Sequence, residues 1–273
     1  MPAVLLGLFG SLIGSFLNVV VFRVPAGRSI VAPPSACGTC GARIRGYDNI
    51  PVASWLVLRG RCRDCGTRIS PRYPLVELGT GLAFAGITVW ALERWGATFA
   101  IDAHTLGAAL ATIAFLYLGS ISIALALIDI DTHRLPNAIV IPAYAVGGVL
   151  LTAAALCLGD PAAIGRAAIG LGAMFLLYLA LALVRPGGMG LGDVKLAGVL
   201  GLFLGFLGWG ELVVGAFAGF VLGGLFGIAL LLARRASRTS GIPFGPWMVA
   251  GAWVGVVAGG AIADGYLSLL GIG

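Results

Sequence analysis

Apolar segments long enough to cross a lipid bilayer recur along almost the whole of this 273-residue sequence. A transmembrane helix needs about 20 mostly apolar residues to cross roughly 30 Å of hydrocarbon. Only 10% of the residues are charged, whereas an ordinary globular domain carries about 25%. We therefore predict an all-α polytopic membrane protein with about eight transmembrane helices, at residues 4–22, 75–92, 106–128, 138–158, 166–184, 194–209, 212–233 and 246–270.

The 44 glycines predict close contacts between these helices, because small residues allow two backbones to approach each other in lipid. In the first span Gly10, Gly14 and Asn18 recur every four residues, so they share one face that we expect to lie inside the bundle. That span has no charge before Arg23, whereas a secretory signal peptide begins with positive residues. We interpret it as a retained helix.

Lysine and arginine are unevenly divided between the two sides of the membrane. If the N-terminus lies outside, only Arg94 and Arg166 fall in outside segments. Such an asymmetry is typical of the positive-inside rule, and it explains the net charge of +6 without a nucleic-acid partner. The fifteen cytoplasmic residues are then Arg23, Arg28, Arg43, Arg45, Arg59, Arg61, Arg63, Arg68, Arg72, Arg134, Arg185, Lys195, Arg234, Arg235 and Arg238.

The one sizeable soluble segment, residues 25–73, contains Cys37-Gly38-Thr39-Cys40 and Cys62-Arg63-Asp64-Cys65. Two C-x-x-C pairs at about this spacing are typical of a tetrahedral four-thiolate zinc site. Gly41 and Gly66 follow the pairs and supply backbone freedom, which we expect to turn amides back towards the sulfurs. We predict a structural zinc ion bound by Cys37, Cys40, Cys62 and Cys65, with a redox-active dithiol pair as the alternative.

The predicted cytoplasmic position of this loop disfavours structural disulfides. Its many arginines would favour the thiolate form of the cysteines. Because the loop has few apolar residues of its own, we expect it to need the metal in order to fold. Cys157 lies within an apolar span, where we expect it to serve ordinary packing.

Carboxylates occur at the ends of two apolar spans, in Asp129-Ile130-Asp131 and at Asp193 within the segment 188–195. A charged side chain costs roughly 2.5–3.5 kcal/mol at the bilayer centre and less near its surface, so such residues usually mark function. Glycines 188, 190 and 192 remove side-chain bulk ahead of Asp193, which would let another backbone or a substrate strand approach. The predicted orientation places both acidic segments at cytoplasmic helix ends.

Two aspartates from different helices can share one proton, because like charges a few Å apart cannot both ionise cheaply. Such a pair activates a water with one oxygen and protonates a leaving amine with the other, as in aspartic proteases. Asp193 is one candidate member, and its partner is Asp129 or Asp131. Asp129 is favoured because it adjoins the apolar segment 123–128, whereas Asp131 suits an exposed position.

A non-catalytic membrane scaffold or transporter with a zinc-stapled loop is an alternative function. Its acidic residues would then form a proton or cation path. A path across the membrane needs acids along its depth, whereas these acids lie on one side, which favours surface chemistry.

Asp129 with Leu135-Pro136-Asn137, followed by Gly190-Leu191-Gly192-Asp193, resembles the bacterial type IV prepilin peptidases. These belong to the intramembrane aspartyl proteases with a Gly-x-Gly-Asp motif. The resemblance continues in family order through nearly the whole chain. It covers Gly14-Ser15-Phe16-Leu17-Asn18-Val19-Val20, both cysteine pairs, Ser54-Trp55-Leu56, Arg59-Gly60, Ile69-Ser70-Pro71-Arg72-Tyr73-Pro74 with Glu77, and Pro243-Phe244-Gly245-Pro246.

The resemblance implies a bifunctional enzyme of the bacterial inner membrane, with its active site facing the cytoplasm. Family members cut the basic leader from type IV prepilins and type II secretion pseudopilins after a glycine. They then methylate the new N-terminal amine with S-adenosylmethionine. Asp129 and Asp193 would be the catalytic pair, and Cys37, Cys40, Cys62 and Cys65 the zinc ligands.

The resemblance also implies a division into the first helix (1–24), a cytoplasmic zinc loop (25–73) and a seven-helix membrane domain with the protease site (74–273). The cysteine loop separates bifunctional members from shorter ones with peptidase activity alone, and a peptidase-only enzyme with a structural zinc loop is an alternative. No Rossmann-type fingerprint marks a site for S-adenosylmethionine, and the sequence does not indicate the oligomeric state.

Overall fold

The computed structural model describes residues 1–96, 102–184, 189–233 and 243–271. Gly188 and the predicted cytoplasmic arginines 185, 234, 235 and 238 lie outside these residues. The described part of the chain is helical and contains no strand, only isolated bridges at Ala36–Arg43 and Arg61–Arg68. Its α-helices are α1 (Pro2–Arg23), α2 (Ala53–Val57), α3 (Arg72–Trp95), α4 (Ala103–Thr132), α5 (Asn137–Leu158), α6 (Ala162–Val184), α7 (Leu191–Leu207), α8 (Trp209–Leu232) and α9 (Gly245–Leu269).

Each of the eight predicted spans corresponds to a helix, and the prediction of an all-α polytopic membrane protein is confirmed. Seven helices among the described residues are long and apolar enough to cross a membrane. The eighth, α7, has 17 residues and is about 26 Å long, at the lower limit for a spanning helix. Its residues from Leu196 to Leu207 are all buried, as expected for a helix that is apolar on every side.

The chain divides into two compact units, of which the first comprises Met1–Gly96 with Leu116–Ala124. Within this unit α1 packs closely against α3. A Cβ atom at Gly10 would lie 2.6 Å from the Cβ of Phe84, and one at Gly14 would lie 2.7 Å from the Cα of Glu77. Asn18 Nδ2 donates a hydrogen bond to the Tyr73 carbonyl at 3.2 Å. The predicted packing face of the first span is therefore confirmed.

The second unit comprises Ala97–Phe115 with Leu125–Gly273, and α7 is its central helix. Helices α6 and α7 are antiparallel and in close backbone contact. Gly201 of α7 contacts Gly170 of α6, and Gly205 contacts Arg166 and Ala167. Gly205 lies near the end of α7, whereas Arg166 lies near the start of α6. Therefore α7 extends from one end of this unit to the other despite its short length.

Four helix ends meet at one end of the second unit. They are the C-terminus of α4 and the N-termini of α5, α7 and α9, which are joined by contacts of Gly192 and Gly245 with Leu135 and by hydrogen bonds. Helix α4 ends at Thr132 rather than at the predicted residue 128, so Asp129 lies within its last turn. The turn from His133 to Pro136 then leads directly into α5. Both acidic segments singled out in the sequence lie in this part of the molecule.

Candidate active site and candidate metal centre

Asp129 is almost completely buried, with 5% of its surface exposed, in the last turn of α4. Its Oδ2 accepts a hydrogen bond at 3.0 Å from the backbone N–H of Gly245, the first residue of α9. His133 ends α4 with a φ of +51°, and its N–H donates to the Asp129 carbonyl at 2.8 Å. The carboxylate therefore lies at the N-terminus of α9, where the helix dipole and free amides favour an anion.

Asp131 lies two residues further along and is exposed to solvent. Successive residues of an α-helix are about 100° apart, so its side chain points away from that of Asp129. Between the two aspartates, Ile130 is 54% exposed. The structure thus separates the two candidate partners of Asp193 by their burial.

Asp193 is half-buried in the first turn of α7. Its Oδ2 accepts a hydrogen bond at 3.1 Å from the N–H of Gly190, and its own N–H donates to the Gly190 carbonyl at 3.0 Å. The side chain thus satisfies one of the amides that the first turn of a helix leaves without a partner. The Gly-x-Gly-Asp segment is consequently a helix start that fixes the orientation of its own carboxylate.

The side chain of Leu135 packs between the Asp193 segment and the Gly245 backbone that holds Asp129. A Cβ atom at Gly192 would lie 3.0 Å from the Cβ of Leu135, and one at Gly245 would lie 3.4 Å from its Cδ2 and 2.8 Å from Asp129 Oδ2. The absence of a side chain at Gly192 and Gly245 therefore lets Leu135 pack closely against both helix N-termini. A Cβ at Gly190 would make only ordinary van der Waals contacts. The charges of Asp129 and Asp193 are near enough to interact electrostatically.

Two further contacts tie α5 to the start of α7. Lys195 Nζ donates to Asn137 Oδ1 at 3.1 Å, and the Tyr144 hydroxyl donates to the Lys195 carbonyl at 2.5 Å. The Asn137 side chain is thus engaged by a neighbouring helix rather than capping α5, whose N-cap residue is Pro136. Because α5 follows directly on the turn that contains Leu135, these contacts hold that turn against the Asp193 segment.

The four cysteines of the loop come together in the first unit. Their sulfur atoms all lie within 4.8 Å of one another, and Cys37 Sγ is 3.8 Å from Cys65 Sγ. A tetrahedral zinc site with bonds of about 2.3 Å has sulfur–sulfur edges of roughly 3.8 Å. A disulfide bond would instead require a separation of about 2.05 Å. The spacing of the sulfurs therefore fits a tetrahedral metal ion.

The two cysteine pairs are built as nearly identical turns. Cys37 N–H donates to the Ala42 carbonyl at 2.9 Å, and Cys62 N–H donates to the Thr67 carbonyl at 2.8 Å. Gly41 and Gly66 have φ angles of +72° and +71°, which glycine adopts without strain. The Gly41 and Gly66 amides themselves donate to the carbonyls of Cys37 and Cys62, which closes each turn.

The amides that approach the Cys37 sulfur belong to Cys40 and Thr39, within the same turn. Hydrogen bonds from the Cys40 and Thr39 amides lower the pKa of the Cys37 thiol to about 6. The thiolate form, which is the metal ligand, is therefore accessible at neutral pH. Backbone amides, rather than the arginines expected from the sequence, are the main cause of this shift.

The loop is anchored to α3 through Glu77. Glu77 Oε2 accepts a hydrogen bond at 2.7 Å from the N–H of Val52, which has an unusual φ of +61°. Trp55 Nε1 donates to the Ile69 carbonyl at 3.1 Å, and a Cβ at Gly60 would collide with the Trp55 ring.

Two ion pairs stabilise the loop around the cysteine turns. Arg45 pairs with Asp64 at 2.9 Å, and Arg63 pairs with Asp48 at 2.6 Å.

Known protein families match both units. Residues 8–91 match the family described as Bacterial Peptidase A24 N-terminal domain, and residues 116–228 match the Type IV leader peptidase family. A Prepilin leader peptidase/N-methyltransferase of Pseudomonas putida is 36% identical in an alignment 285 residues long. The alignment covers 96% of this chain and 92% of the relative. This chain belongs to the type IV leader peptidase family.

Other relatives of the same name support this assignment to the leader peptidases. The protein from Aeromonas salmonicida is 34% identical over 293 residues, covering 96% of this chain and 93% of its own length. The protein from Neisseria gonorrhoeae is 32% identical over 275 residues, covering 92% of this chain and 88% of its own length. No solved structure matches this chain.

Two residues of this leader peptidase take part in the site although the sequence analysis gave them no role. Gly245 supplies the amide that holds Asp129, from a position 116 residues further along the chain. The only sequence signal for it was the Pro243–Pro246 segment, which carried the family resemblance. The second residue is Tyr178 of α6, whose charged neighbour is Asp193. Cys157, in contrast, lies in α5 and is not part of the four-cysteine cluster.

Proposed function

We propose that this chain cleaves the leader peptide from prepilins and pseudopilins and then methylates the new N-terminal amine. Relatives named Prepilin leader peptidase/N-methyltransferase align over nearly the full length of the chain. The observation that carries the proposal is the position of two carboxylates, one in the last turn of α4 and one in the first turn of α7, beside the same residue, Leu135. Each of them accepts a hydrogen bond from an amide at a helix N-terminus.

Asp129 and Asp193 are the proposed catalytic pair, and they share one proton before the reaction. The ionised carboxylate takes a proton from a water molecule, whose oxygen attacks the carbonyl carbon of the scissile peptide bond. The protonated carboxyl group donates its proton to the leaving nitrogen as the carbon–nitrogen bond breaks. The Gly245 and Gly190 amides hold one oxygen of each carboxylate, which leaves the other oxygen to face the water.

Cys37, Cys40, Cys62 and Cys65 are the proposed ligands of a zinc ion. The sulfur separations fit four ligands around such an ion, and the amides beside Cys37 favour the thiolate form of that residue. When bound, the ion would supply a cross-link that orders the loop. It takes no part in the proposed cleavage step.

S-adenosylmethionine is the proposed methyl donor, and its binding residues are not assigned. The proposed location is the bacterial inner membrane, with the N-terminus outside and the aspartate pair at the cytoplasmic ends of its helices. The fifteen-to-two distribution of basic residues supports this orientation. The chain directions agree with it, since α4 ends and α5, α7 and α9 begin at the proposed cytoplasmic side.

The test uses purified protein in detergent micelles, a prepilin substrate and isotope-labelled S-adenosylmethionine. We expect Asp129→Asn and Asp193→Asn each to lower the cleavage rate by roughly 10³-fold or more. Asp131→Asn is the matched control, because Asp131 is exposed, and we expect it to cleave at nearly the wild-type rate. Zinc content and helical circular dichroism should be the same in all three variants.

Substantial cleavage by either Asp129→Asn or Asp193→Asn would end the proposed mechanism. Mass spectrometry of the cleaved pilin distinguishes the two activities. A product with one added methyl group supports the bifunctional enzyme. A cleaved but unmethylated product would reduce the proposal to a peptidase with a structural zinc loop.

A further inference from the structure

Tyr178 of α6 is a buried polar group that the proposed mechanism does not yet use. Its side chain is 0% exposed, and its hydroxyl oxygen has no hydrogen-bond partner among the described residues. An unsatisfied buried hydroxyl lowers the stability of the folded protein, whereas a phenylalanine at this position would avoid that cost. The hydroxyl therefore contributes nothing to the packing of the resting protein.

The surroundings of Tyr178 belong to the aspartate site. Its ring packs against Phe220 and Phe244, with ring centroids 5.3 Å and 6.3 Å away. Phe244 immediately precedes Gly245, whose amide holds the Asp129 carboxylate. The antiparallel contacts of Gly170 with Gly201 and of Arg166 with Gly205 place position 178 of α6 opposite Asp193 of α7. The two groups are near enough to interact electrostatically. One ring thus connects the backbone that holds Asp129 with the neighbourhood of Asp193.

We propose that Tyr178 is a positioning residue whose hydroxyl donates a hydrogen bond to the Asp193 carboxylate during the reaction. This inference rests on the proposed aspartate pair. A phenolic O–H is the right partner, because an ionised carboxylate accepts hydrogen bonds and donates none. The Gly190 amide and Tyr178 would then hold Asp193 from two directions, which fixes the oxygen that faces the water.

The aromatic neighbours make this role physically reasonable. Phe220 and Phe244 themselves pack at a centroid distance of 5.5 Å, so Tyr178 lies within a cluster of three rings. Such a cluster restricts the motion of the phenol and excludes water from it. A hydrogen bond donated from an apolar environment to an anion is stronger than the same bond in water. The hydroxyl is therefore placed to hold Asp193 firmly when the two groups meet.

The test is Tyr178→Phe, which keeps the ring cluster and removes only the hydroxyl. We expect kcat for leader cleavage to fall by about 10- to 100-fold, as for the loss of one hydrogen bond to a charged group. KM should change by less than about twofold, since the proposed partner of the hydroxyl is Asp193 and not the substrate. The thermal midpoint should stay constant or rise, because the resting protein loses an unsatisfied buried group.

Two other tyrosines provide controls for the same chemical change. Tyr117→Phe alters a half-buried tyrosine of α4, and we expect wild-type kcat, KM and thermal midpoint. Tyr144→Phe removes a hydroxyl that already bonds the Lys195 carbonyl, so it should lower the thermal midpoint. Tyr178→Phe and Tyr144→Phe therefore differ in the sign of their effect on stability.

A wild-type kcat in Tyr178→Phe would overturn this inference. A fall in thermal midpoint accompanied by a proportional rise in KM would overturn it as well, because that result indicates packing alone. If Asp193→Asn is inactive while Tyr178→Phe is fully active, only the role of Tyr178 fails. If Asp193→Asn cleaves normally, the aspartate pair fails, and the inference about Tyr178 fails with it.

Discussion

The cysteine cluster and the aspartate pair use the same physical device over very different distances along the chain. Both place backbone amides beside a group that must be, or become, an anion. At Cys37 the amides come from Thr39 and Cys40 in the same turn. At Asp129 the amide comes from Gly245, 116 residues away. Each cysteine pair is therefore encoded within one short turn, whereas the aspartate site requires four helix ends to meet.

The two regions also differ in what holds them together. The four sulfurs belong to two similar turns and lie within 4.8 Å of one another in a loop with few apolar residues. The aspartates lie at the ends of α4 and α7, and α7 is buried along nearly its whole length. A metal ion is therefore expected to stabilise the first region, whereas helix packing stabilises the second. Each of the following predictions tests this contrast.

Cys40→Ser should have the largest effect on the cysteine cluster. We expect bound zinc to fall from about one ion per chain to nearly none, because three thiolates cannot complete the tetrahedral site. The loop should then become sensitive to proteases, while the helical circular dichroism of the membrane helices persists. Elemental analysis and limited proteolysis provide the measurements.

Cys157→Ser is the matched control for this change. Cys157 is half-buried in α5 and is not part of the cluster, so this variant should keep its zinc and its protease resistance. Loss of zinc from Cys157→Ser would contradict the assignment of ligands. Collapse of the membrane helices in Cys40→Ser would contradict the proposed division of stabilising forces.

Gly245→Ala should have an intermediate effect, confined to the aspartate pair. The new Cβ would lie 2.8 Å from Asp129 Oδ2, so the carboxylate must move away from the amide that holds it. Alanine is also less free than glycine in the position before Pro246. We expect kcat/KM for leader cleavage to fall by roughly 10- to 100-fold with unchanged zinc content.

Gly224→Ala serves as its control, because a Cβ at Gly224 of α8 would meet nothing within 4 Å. This variant should cleave the substrate at the wild-type rate. Equal activity of Gly245→Ala and Gly224→Ala would show that the contact between Gly245 and Asp129 is unimportant for catalysis.

Asp48→Asn should have the smallest effect and should concern only the loop. Asp48 accepts hydrogen bonds from Arg63 at 2.6 to 3.0 Å, and these bonds lower the pKa of its carboxyl group. The stabilisation is therefore present above the ordinary carboxyl pKa of about 4 and is lost only as the pH falls through the lowered value. We expect the variant to release zinc to a chelator roughly threefold faster than the wild type.

The pH dependence sharpens this prediction. The ratio of release rates between Asp48→Asn and the wild type should be the same at about pH 7 and about pH 5, because Asp48 stays ionised throughout that range. A ratio that shrinks towards one at about pH 5 would show that the carboxyl group already takes up protons there. Such a result would contradict the lowered pKa.

The positions of the helices were predictable from the sequence to within a few residues. Apolar length sets where a helix crosses a bilayer, and each of the eight predicted spans overlaps a helix. The packing face of α1 was also predictable, because a four-residue repeat of small side chains defines one side of a helix. The predicted helix ends were less accurate, since α4 continues beyond the predicted residue 128 to Thr132, which places Asp129 in its last turn.

The clustering of the four cysteines was predictable, because two C-x-x-C turns at this spacing favour one common site. Which amides approach the sulfur was not predictable: those of Thr39 and Cys40 act on Cys37, whereas those of Gly41 and Gly66 bond carbonyls. The roles of Lys195 and Asn137 were also missed. Their mutual hydrogen bond depends on how α5 packs beside α7.

The sequence alone determined a helical membrane protein with two C-x-x-C turns and acidic residues at helix ends, because length, periodicity and short-range spacing act locally. The sequence favoured Asp129 over Asp131 as the buried acid, and the structure agrees. Only the tertiary structure decided that Gly245 holds Asp129 and that the Tyr178 hydroxyl has no partner among the described residues. The physical reason is that burial and long-range hydrogen bonds depend on which helices meet. A pattern of residues along one segment carries no record of its neighbours in space.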